Sequence, residues 1–256
     1  MILTIDIGNS RVKWVLFNKH ELQEYGAFEY SIDDFKERMH KAGMFVEVDM
    51  VAVSNVAGER IQDKLVEVMK ECNVGRYLFI KTQSKALGVT NAYKEYTKLG
   101  VDRWLGMIAA FNAGESLSGK GTCIIDCGTA ITLDVVNSAG IHQGGVIAPG
   151  YKLMNSVLNQ STKNIEENLA PKKVSGFELG LTTTEAVRQG CAQMIKGGIS
   201  KLLDHLSKKE AGKMQFFITG GDGEWVNEMI ENKASYDPFL VNRGLVLMAI
   251  EAMERS

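Results

Sequence analysis

Two short stretches of the chain share a pattern of acidic, glycine and small polar residues. TIDIGNSRVKWVLF begins at residue 4, and IIDCGTAITLDVV begins at residue 124. Under a strict overlay, the matching acid, glycine, turn residue and strand valine are Asp6 and Asp126, Gly8 and Gly128, Asn9 and Thr129, and Val15 and Val135. The same overlay places Lys13 on Leu133, so the two copies have diverged.

The chemistry of such a hairpin follows from its residue types. Glycine lets backbone N–H groups approach an anion closely, and a neighbouring Asn, Ser or Thr adds further donors. An aspartate that ends the strand can hold a divalent cation directly or through water. One such hairpin is most often an ordinary β-turn, but two that face each other across a cleft would clamp a polyphosphate and its metal ion.

A second candidate is the tetrapeptide GVDR at residues 100–103, where an apolar helix is predicted to start. The helix dipole favours Asp102 there by ~0.3–1 kcal/mol, which is a purely structural explanation. Arg103 opposes that dipole, so it needs another reason to be present. A substrate carboxylate supplies one, because a guanidinium group binds a carboxylate through two hydrogen bonds. Tyr93 lies in the preceding loop, where an aromatic residue often only packs.

A third candidate is FITGGDG, in which Gly220 and Gly221 follow a predicted strand. Their backbone could pack against a flat base or a ribose. The sequence lacks GxxxxGK[ST], and no GxGxxG follows the first strand, which disfavours a P-loop and a dinucleotide site. The phosphate-binding residues must therefore be of another kind.

Composition excludes several classes of function. A formal net charge of -2 and a pI near 6.1 give no whole-chain attraction to nucleic acid or to an anionic membrane. No apolar run approaches the ~20 residues that span a bilayer, and a strand pattern starts at residue 2 where a signal peptide would lie, so we expect a cytoplasmic protein. The four cysteines and four histidines form no metal-binding motif, which predicts reduced thiols and no zinc site.

The elements that must position these residues form two predicted α/β lobes, residues 1–117 and 118–256. Each lobe starts with one copy of the hairpin, and Phe28 to Tyr30 are a candidate third strand. GIHQGGVIAPGYKLM supplies a Gly-Gly and a Pro-Gly pair before a long, mostly helical region. The later stretch TTTEAVRQGCAQMIKGGISKLLDHLSKK predicts a helix with a threonine N-cap and Glu185 in its first turn.

Taken together, these motifs resemble those of the actin-like ATPase and sugar-kinase superfamily, and most closely those of type III pantothenate kinases. The resembling stretches cover nearly the whole chain: DIGNSRVK at 6–13, GVDRW at 100–104, DCGTAITLDVV at 126–136, GGVIAPG at 144–150, GLTTTEAVRQG at 180–190 and TGGDG at 219–223. The resemblance implies two duplicated RNase-H-like lobes with mixed sheets and a nucleotide cleft between them. It also implies ATP-dependent phosphorylation of pantothenate, at the start of coenzyme A synthesis.

The resemblance assigns a role to each motif. Residues that would contact ATP are Asp6, Ile7, Gly8, Asn9, Ser10, Arg11, Val12, Lys13, Thr129, Gly220 and Gly221. Residues that would contact pantothenate are Tyr93, Gly100, Val101, Asp102, Arg103 and Thr183, with Asp102 also the general base. Asp126 would hold a monovalent cation, K⁺ or NH₄⁺, and Asp6 would serve Mg²⁺ through the phosphates or water. The triplet at 182–184 leaves open which of its threonines contacts the substrate.

The resemblance also implies a homodimer whose substrate site lies near the subunit interface. Two other classes of function stay open at this point. One is another small-molecule kinase of the same superfamily, which substrate profiling would identify. The other is a non-catalytic ATP-binding or regulatory protein, which loss of a metal-binding acid or of the base would favour. The sequence shows neither loss.

Overall fold

A computed structural model describes residues 1–45, 48–113, 119–161, 174, 176–210 and 213–255. These residues form two compact units. The first unit comprises Met1–Gly114, Gly140–His142 and Phe239–Ser256, and the second comprises Glu115–Ala139 and Gln143–Pro238. Each unit contains a five-stranded sheet that is packed against helices, as expected for an α/β protein.

The first unit starts with an antiparallel meander and continues with alternating helices and strands. Its elements in chain order are β1 Ile2–Ile7, β2 Arg11–Asn18, β3 Glu21–Glu29, α1 Phe35–Ala42, β4 Met50–Asn55, α2 Glu59–Glu71, β5 Tyr77–Phe79, β6 Lys85–Ala86, β7 Val89–Thr90 and α3 Val101–Phe111. The sheet order is β3-β2-β1-β4-β5; β1 is antiparallel to β2 and parallel to β4. Central strand β1 is mostly apolar and almost wholly buried, as is typical of a strand with neighbours on both sides.

The second unit repeats this order of strands. Its elements are β8 Gly121–Cys127, β9 Ala130–Val136, β10 His142–Pro149, α4 Tyr151–Ser161, α5 Thr183–Lys209, β11 Met214–Thr219, α6 Gly223–Met229 and β12 Ser235–Tyr236. The sheet order is β10-β9-β8-β11-β12, with β8 antiparallel to β9 and parallel to β11. The sheet confirms the duplication that the repeated hairpin predicted.

The last helix, α7 Leu240–Glu254, packs within the first unit, against α3 and β1. The approach is close, because a Cβ added to Gly244 would meet the carbonyl group of Leu105, 2.8 Å from its carbon. The Asn242 side chain donates a hydrogen bond of 3.0 Å to the hydroxyl of Thr4 on β1. Residues from opposite ends of the sequence thus complete one core.

The structure corrects two local predictions. The third strand spans Glu21–Glu29, not Phe28 to Tyr30, and its early residues are mostly exposed because they lie at the sheet edge. The stretch around GGVIAPG forms strand β10, although its glycines and proline suggested only turns. Pairing with β9 outweighs the weak strand propensity of those residues.

The second hairpin is one residue shorter at its turn than the first. Asp6 pairs with Lys13 across the first hairpin, whereas Asp126 pairs with Thr132 across the second. The structural counterpart of Val15 is therefore Asp134, not Val135 as the strict overlay predicted.

Within the described part of the chain, no helix is both long enough and apolar enough to cross a membrane.

Candidate active site

Hydrogen bonds to its backbone hold the turn of the first hairpin in place. The Gly8 N–H donates to the carbonyl of Arg11 at 3.0 Å, and the Tyr30 hydroxyl donates to the carbonyl of Gly8 at 2.7 Å. Burial raises the pKa of Tyr30, which keeps its hydroxyl protonated as a donor. Asn9 and Ser10 are exposed at the tip of this braced turn.

The side chains of the first phosphate motif differ in what they can offer a ligand. Ile7 and Val12 are fully buried in the core, so only their backbone groups could contact ATP. Asp6 and Lys13 are half-buried and lie opposite each other on the paired strands, and Arg11 is exposed.

The turn of the second hairpin is braced by the glycine that precedes α4. Gly128 N–H donates to the carbonyl of Ala130 at 3.1 Å, and Gly150 N–H donates to the carbonyl of Thr129 at 2.9 Å. A Cβ on Gly150 would lie 2.6 Å from the Thr129 oxygen, so only glycine fits there. Thr129 itself is exposed, and Asp126 is half-buried at the strand end.

The glycine-rich turn after β11 packs against this second hairpin. Gly220 has a φ of +96°, and a Cβ there would lie 2.5 Å from Oδ1 of Asp126 and would also meet the Cys127 carbonyl. The Asp222 N–H donates to that carbonyl at 3.0 Å. Gly221, the next residue, is exposed. The structure thus brings Asp126, Gly150 and Gly220 together from three motifs that are far apart in sequence.

Asp6 and Asp126 each offer one carboxylate near the end of a strand. The described residues contain no group of three His, Cys, Asp or Glu side chains that could hold a metal ion by itself. One carboxylate with the remaining ligands from phosphates and water is the usual arrangement for Mg²⁺. Burial raises the pKa of the Cys123 and Cys127 thiols, so these residues are poor ligands.

The GVDR tetrapeptide forms the first turn of α3, with Gly100 as its N-cap. Asp102 is half-buried, and its Oδ1 accepts a hydrogen bond of 2.8 Å from the N–H of Arg103. The rest of the helix is almost wholly buried, with Trp104 and Leu105 at 0% exposure. A buried helix of this kind is a rigid support for the two charged side chains at its start.

Tyr93 and Arg103, which the sequence analysis placed in one pocket, are in direct contact. Arg103 Nη1 donates to the Tyr93 hydroxyl oxygen at 3.0 Å, and the guanidinium carbon lies 5.7 Å from the ring centroid. The Tyr93 N–H donates to Oδ1 of Asn91 at 2.9 Å. The ring of His142 stacks on that of Tyr93, with centroids 5.9 Å apart and planes at 16°. Sequence reasoning missed His142, because a lone histidine outside a cluster carries no signal.

A cavity of about 370 Å³ lies beside the N-terminus of α3. Its walls include Asn55, Val56, Lys81, Lys98, Gly100 and Val101. This volume suits a small metabolite.

Thr183 is the first residue of α5 and belongs to the second unit, whereas the other five predicted substrate residues belong to the first. The Thr182 hydroxyl accepts from the Glu185 N–H at 3.2 Å, and the Glu185 carboxylate accepts from the Thr182 N–H at 3.1 Å. This capping box confirms the predicted start of the helix. It also occupies the Thr182 hydroxyl, while Thr183 is exposed.

Comparison with known proteins identifies relatives along the whole chain. The family model described as type III pantothenate kinase matches residues 2–205. The type III pantothenate kinase of Nitrosococcus oceani is 34% identical over 253 residues, covering 97% of this chain and 94% of the relative. That of Ectopseudomonas mendocina is 32% identical over 250 residues, covering 96% and 98%.

Solved structures share the fold at lower identity. A Baf family protein from Campylobacter jejuni has a TM-score of 0.62 at 22% identity and covers 98% of this chain and 99% of its own. A non-polymerisable quadruple mutant of pCBH ParM has a TM-score of 0.53 at 12% identity, covering 98% and 99%. With the two mixed sheets, these likenesses confirm the predicted α/β fold with a duplicated sheet.

Proposed function

The chain belongs to the type III pantothenate kinase family, and we propose which of its residues bind ATP, bind pantothenate and act in catalysis. The protein uses ATP to phosphorylate pantothenate to 4'-phosphopantothenate, the first step of coenzyme A biosynthesis. The observation that carries this function is the family match over residues 2–205, which includes both hairpins and GVDR. A kinase that uses ATP requires a divalent metal ion, because charge on the phosphates must be neutralised.

We propose that the two hairpin turns bind the phosphates of ATP. The exposed polar side chains of Asn9, Ser10 and Thr129 are available donors, and each turn is braced by hydrogen bonds from behind. Rigid donors stabilise transferring phosphoryl groups because they need no reorganisation during the reaction. Arg11 and Lys13 add positive charge. Gly220 and Gly221 are proposed to contact the nucleoside, where the absence of side chains permits close approach.

We propose that Asp6 serves Mg²⁺ and that Asp126 binds K⁺ or NH₄⁺. Both carboxylates lie near strand ends beside a glycine turn, and phosphate oxygens would supply further ligands. A bound divalent ion would neutralise charge that develops on the phosphates. Gly220 and Gly128 lie close to the Asp126 carboxylate, because a Cβ added to either glycine would contact it.

The proposed pantothenate site lies at the start of α3. Arg103 would bind the substrate carboxylate, and its contact with Tyr93 restrains the long side chain before substrate arrives. Such restraint lowers the entropy lost on binding. Gly100 and Val101 border the cavity and would line the site. Thr183 is proposed as a further contact, since this residue is exposed, whereas the hydroxyl of Thr182 caps the helix.

Asp102 is proposed as the general base. Phosphoryl transfer passes through a loose transition state, so orientation of the acceptor hydroxyl contributes more than early removal of its proton. The Asp102 carboxylate is fixed by the Arg103 N–H and would orient the pantothenate hydroxyl, then accept its proton late in the transfer.

We further propose a homodimer with the substrate site near the interface. Its support is a set of exposed apolar side chains on α4 and α5: Leu153, Val157, Leu158, Met194 and Leu202. Apolar groups clustered on neighbouring helices commonly mark a protein interface. The cytoplasmic location expected from the sequence stays a prediction.

A coupled assay of ADP formation tests these proposals. Activity should require pantothenate, ATP and Mg²⁺, and should rise with K⁺ or NH₄⁺ when these replace Na⁺. Asp126→Asn should reduce both turnover and the response to the monovalent cation. Full activity in a sodium-only buffer would contradict the role of Asp126, and ADP release with a sugar instead of pantothenate would contradict the substrate.

A further inference from the structure

His142 is buried at 1% exposure, although histidine is usually at least partly exposed. It is the first residue of β10, a strand of the second sheet, yet it groups with the first unit. Its ring lies nearly parallel to the ring of Tyr93, at 16° and 5.9 Å. A nearly parallel aromatic pair in which one ring is buried restricts the orientation of the other ring.

The backbone around His142 is fixed to the loop that carries Tyr93. Gly140 has a φ of +77° and packs so closely on Gly88 that a Cβ would lie 3.1 Å from the Gly88 carbonyl carbon. The Thr90 N–H donates to the carbonyl of Gly140 at 2.8 Å, and Thr90 forms a parallel bridge with Ile141. His142 therefore reaches Tyr93 from a support that is itself rigid.

The orientation of the Tyr93 ring affects the side chain of Arg103. The torsion that turns a tyrosine ring about its own axis is broad, so the ring adopts one orientation only where neighbours pack on it. The hydroxyl of that ring accepts the hydrogen bond from Arg103 Nη1 at 3.0 Å. That oxygen lies on the axis about which the ring turns, so turning the ring changes instead the direction of the ring face, whose centroid lies 5.7 Å from the guanidinium carbon. Because a cation is attracted to the face of an aromatic ring, the position of the guanidinium group depends on the orientation of the ring.

We propose that His142 is a positioning residue for the substrate: its flat ring sets the orientation of Tyr93, and Tyr93 in turn aims Arg103 at the pantothenate carboxylate. This inference rests on the proposed substrate roles of Arg103 and Tyr93. It gives His142 no proton-transfer role and no contact with ATP. Substrate affinity depends on the stacked ring of His142. A side chain that only fills the same buried space does not preserve that affinity.

Two variants of similar size separate the flat ring from the buried volume. His142→Phe keeps a ring that can stack on Tyr93, whereas His142→Leu fills the space without one. We expect His142→Leu to raise KM for pantothenate roughly 3- to 10-fold, the effect of losing one aromatic pair. KM for ATP should change less than about 2-fold, and His142→Phe should stay near wild type.

The double variant His142→Leu/Tyr93→Leu provides a further check. If His142 acts through Tyr93, the double variant should have the same KM for pantothenate as Tyr93→Leu alone, because coupled sites are not additive. Thermal unfolding of each variant shows whether the fold is retained. Equal pantothenate KM values for His142→Leu and His142→Phe, or additive effects in the double variant, would overturn the inference.

The controls distinguish this inference from the function on which it rests. An active wild type with an unchanged KM in His142→Leu would overturn the role of His142 alone. A wild type that turns over no pantothenate would overturn the proposed substrate, and the inference with it.

Discussion

Asp102 and Arg103 are neighbours in the chain, but their proposed roles differ. Asp102 acts as the general base, and Arg103 binds the substrate carboxylate. Asp102→Asn keeps the size and some hydrogen bonding of the side chain but cannot accept a proton. We expect kcat to fall by about 10²–10⁴-fold, with ATP binding nearly intact because the ATP contacts lie on the hairpins. Steady-state kinetics with each substrate varied in turn would measure both effects.

Arg103→Ala is the matched control for this prediction. It should mainly raise KM for pantothenate, because the substrate carboxylate would lose its bidentate partner. The two variants therefore separate chemistry from recognition. Wild-type kcat in Asp102→Asn, or a loss that falls mainly on ATP binding, would move the base to another residue.

The charged residues of the candidate site and Tyr93 could be proposed from sequence, but the buried neighbour His142 could not. Arg103 was conspicuous because a cation in the first turn opposes the helix dipole. Tyr93 was expected beside it, and the structure places its hydroxyl 3.0 Å from Arg103 Nη1. His142 lies 39 residues from Arg103 (142 − 103) and belongs to no motif that carries chemistry. Only tertiary structure reveals that it stacks on Tyr93.

Among the elements, the turn after β11 provides the sharpest test of the second hairpin. Gly220→Ala would place a methyl group 2.5 Å from the Asp126 carboxylate on a residue with a φ of +96°. A non-glycine residue in a rare backbone conformation costs of order 1–3 kcal/mol. We expect a melting temperature several degrees lower, and KM for ATP raised about 10-fold or more as Asp126 moves.

Gly75→Ala is the control for this substitution. Gly75 is exposed and has no positive φ, and a Cβ added there would meet no atom within 4 Å. The same added methyl group should leave both melting temperature and ATP affinity near wild type. If Gly220→Ala behaves like Gly75→Ala, the close packing on Asp126 has no functional consequence.

Most elements could be predicted because local signals agreed with the final fold. The capping box of α5 fixed its start, and Gly43, in the left-handed conformation, fixed the end of α1. Strand β10 was missed because its glycines and proline do not favour a strand. The hairpin register was one residue wrong, since an ungapped overlay cannot detect a shorter turn.

For the whole molecule, the proposed homodimer makes Met194 a test position. From sequence alone, the apolar residues of α5, such as Met194, Ile195, Ile199 and Leu202, could belong to the core or to a dimer interface. Ile195 and Ile199 are buried in the core, whereas Met194 is 71% exposed. Met194→Lys should convert the dimer to monomers, because an interface would have to bury an unpaired charge. Sedimentation velocity at micromolar concentration would measure this change.

Met194→Leu should leave the dimer intact and serves as the control for side-chain replacement. A wild-type protein that sediments as a monomer, or a Met194→Lys variant that sediments as a dimer, would remove Met194 from the proposed interface.

The duplicated architecture could be predicted from the repeated hairpin, but the partner of the last helix could not. The apolar pattern of the final stretch LVNRGLVLMAIEAMER predicts a helix, but the pattern does not indicate which sheet that helix covers. Its contacts with α3 and β1 depend on the shape of both surfaces, such as the close approach of Gly244 to Leu105. Local sequence patterns do not predict such contacts between residues that are far apart in the chain.

The placement of α7 also sets an order of events during translation. The strands and helices of the first unit emerge from the ribosome early, but the helix that covers α3 and β1 is made only after the entire second unit. At about 5–20 residues per second, the interval between α3 and the end of α7 is roughly 7–30 s. During that time the apolar surface of α3 that Gly244 later contacts has no native cover. The unit whose synthesis starts first therefore cannot complete its core until the last helix of the chain has been made.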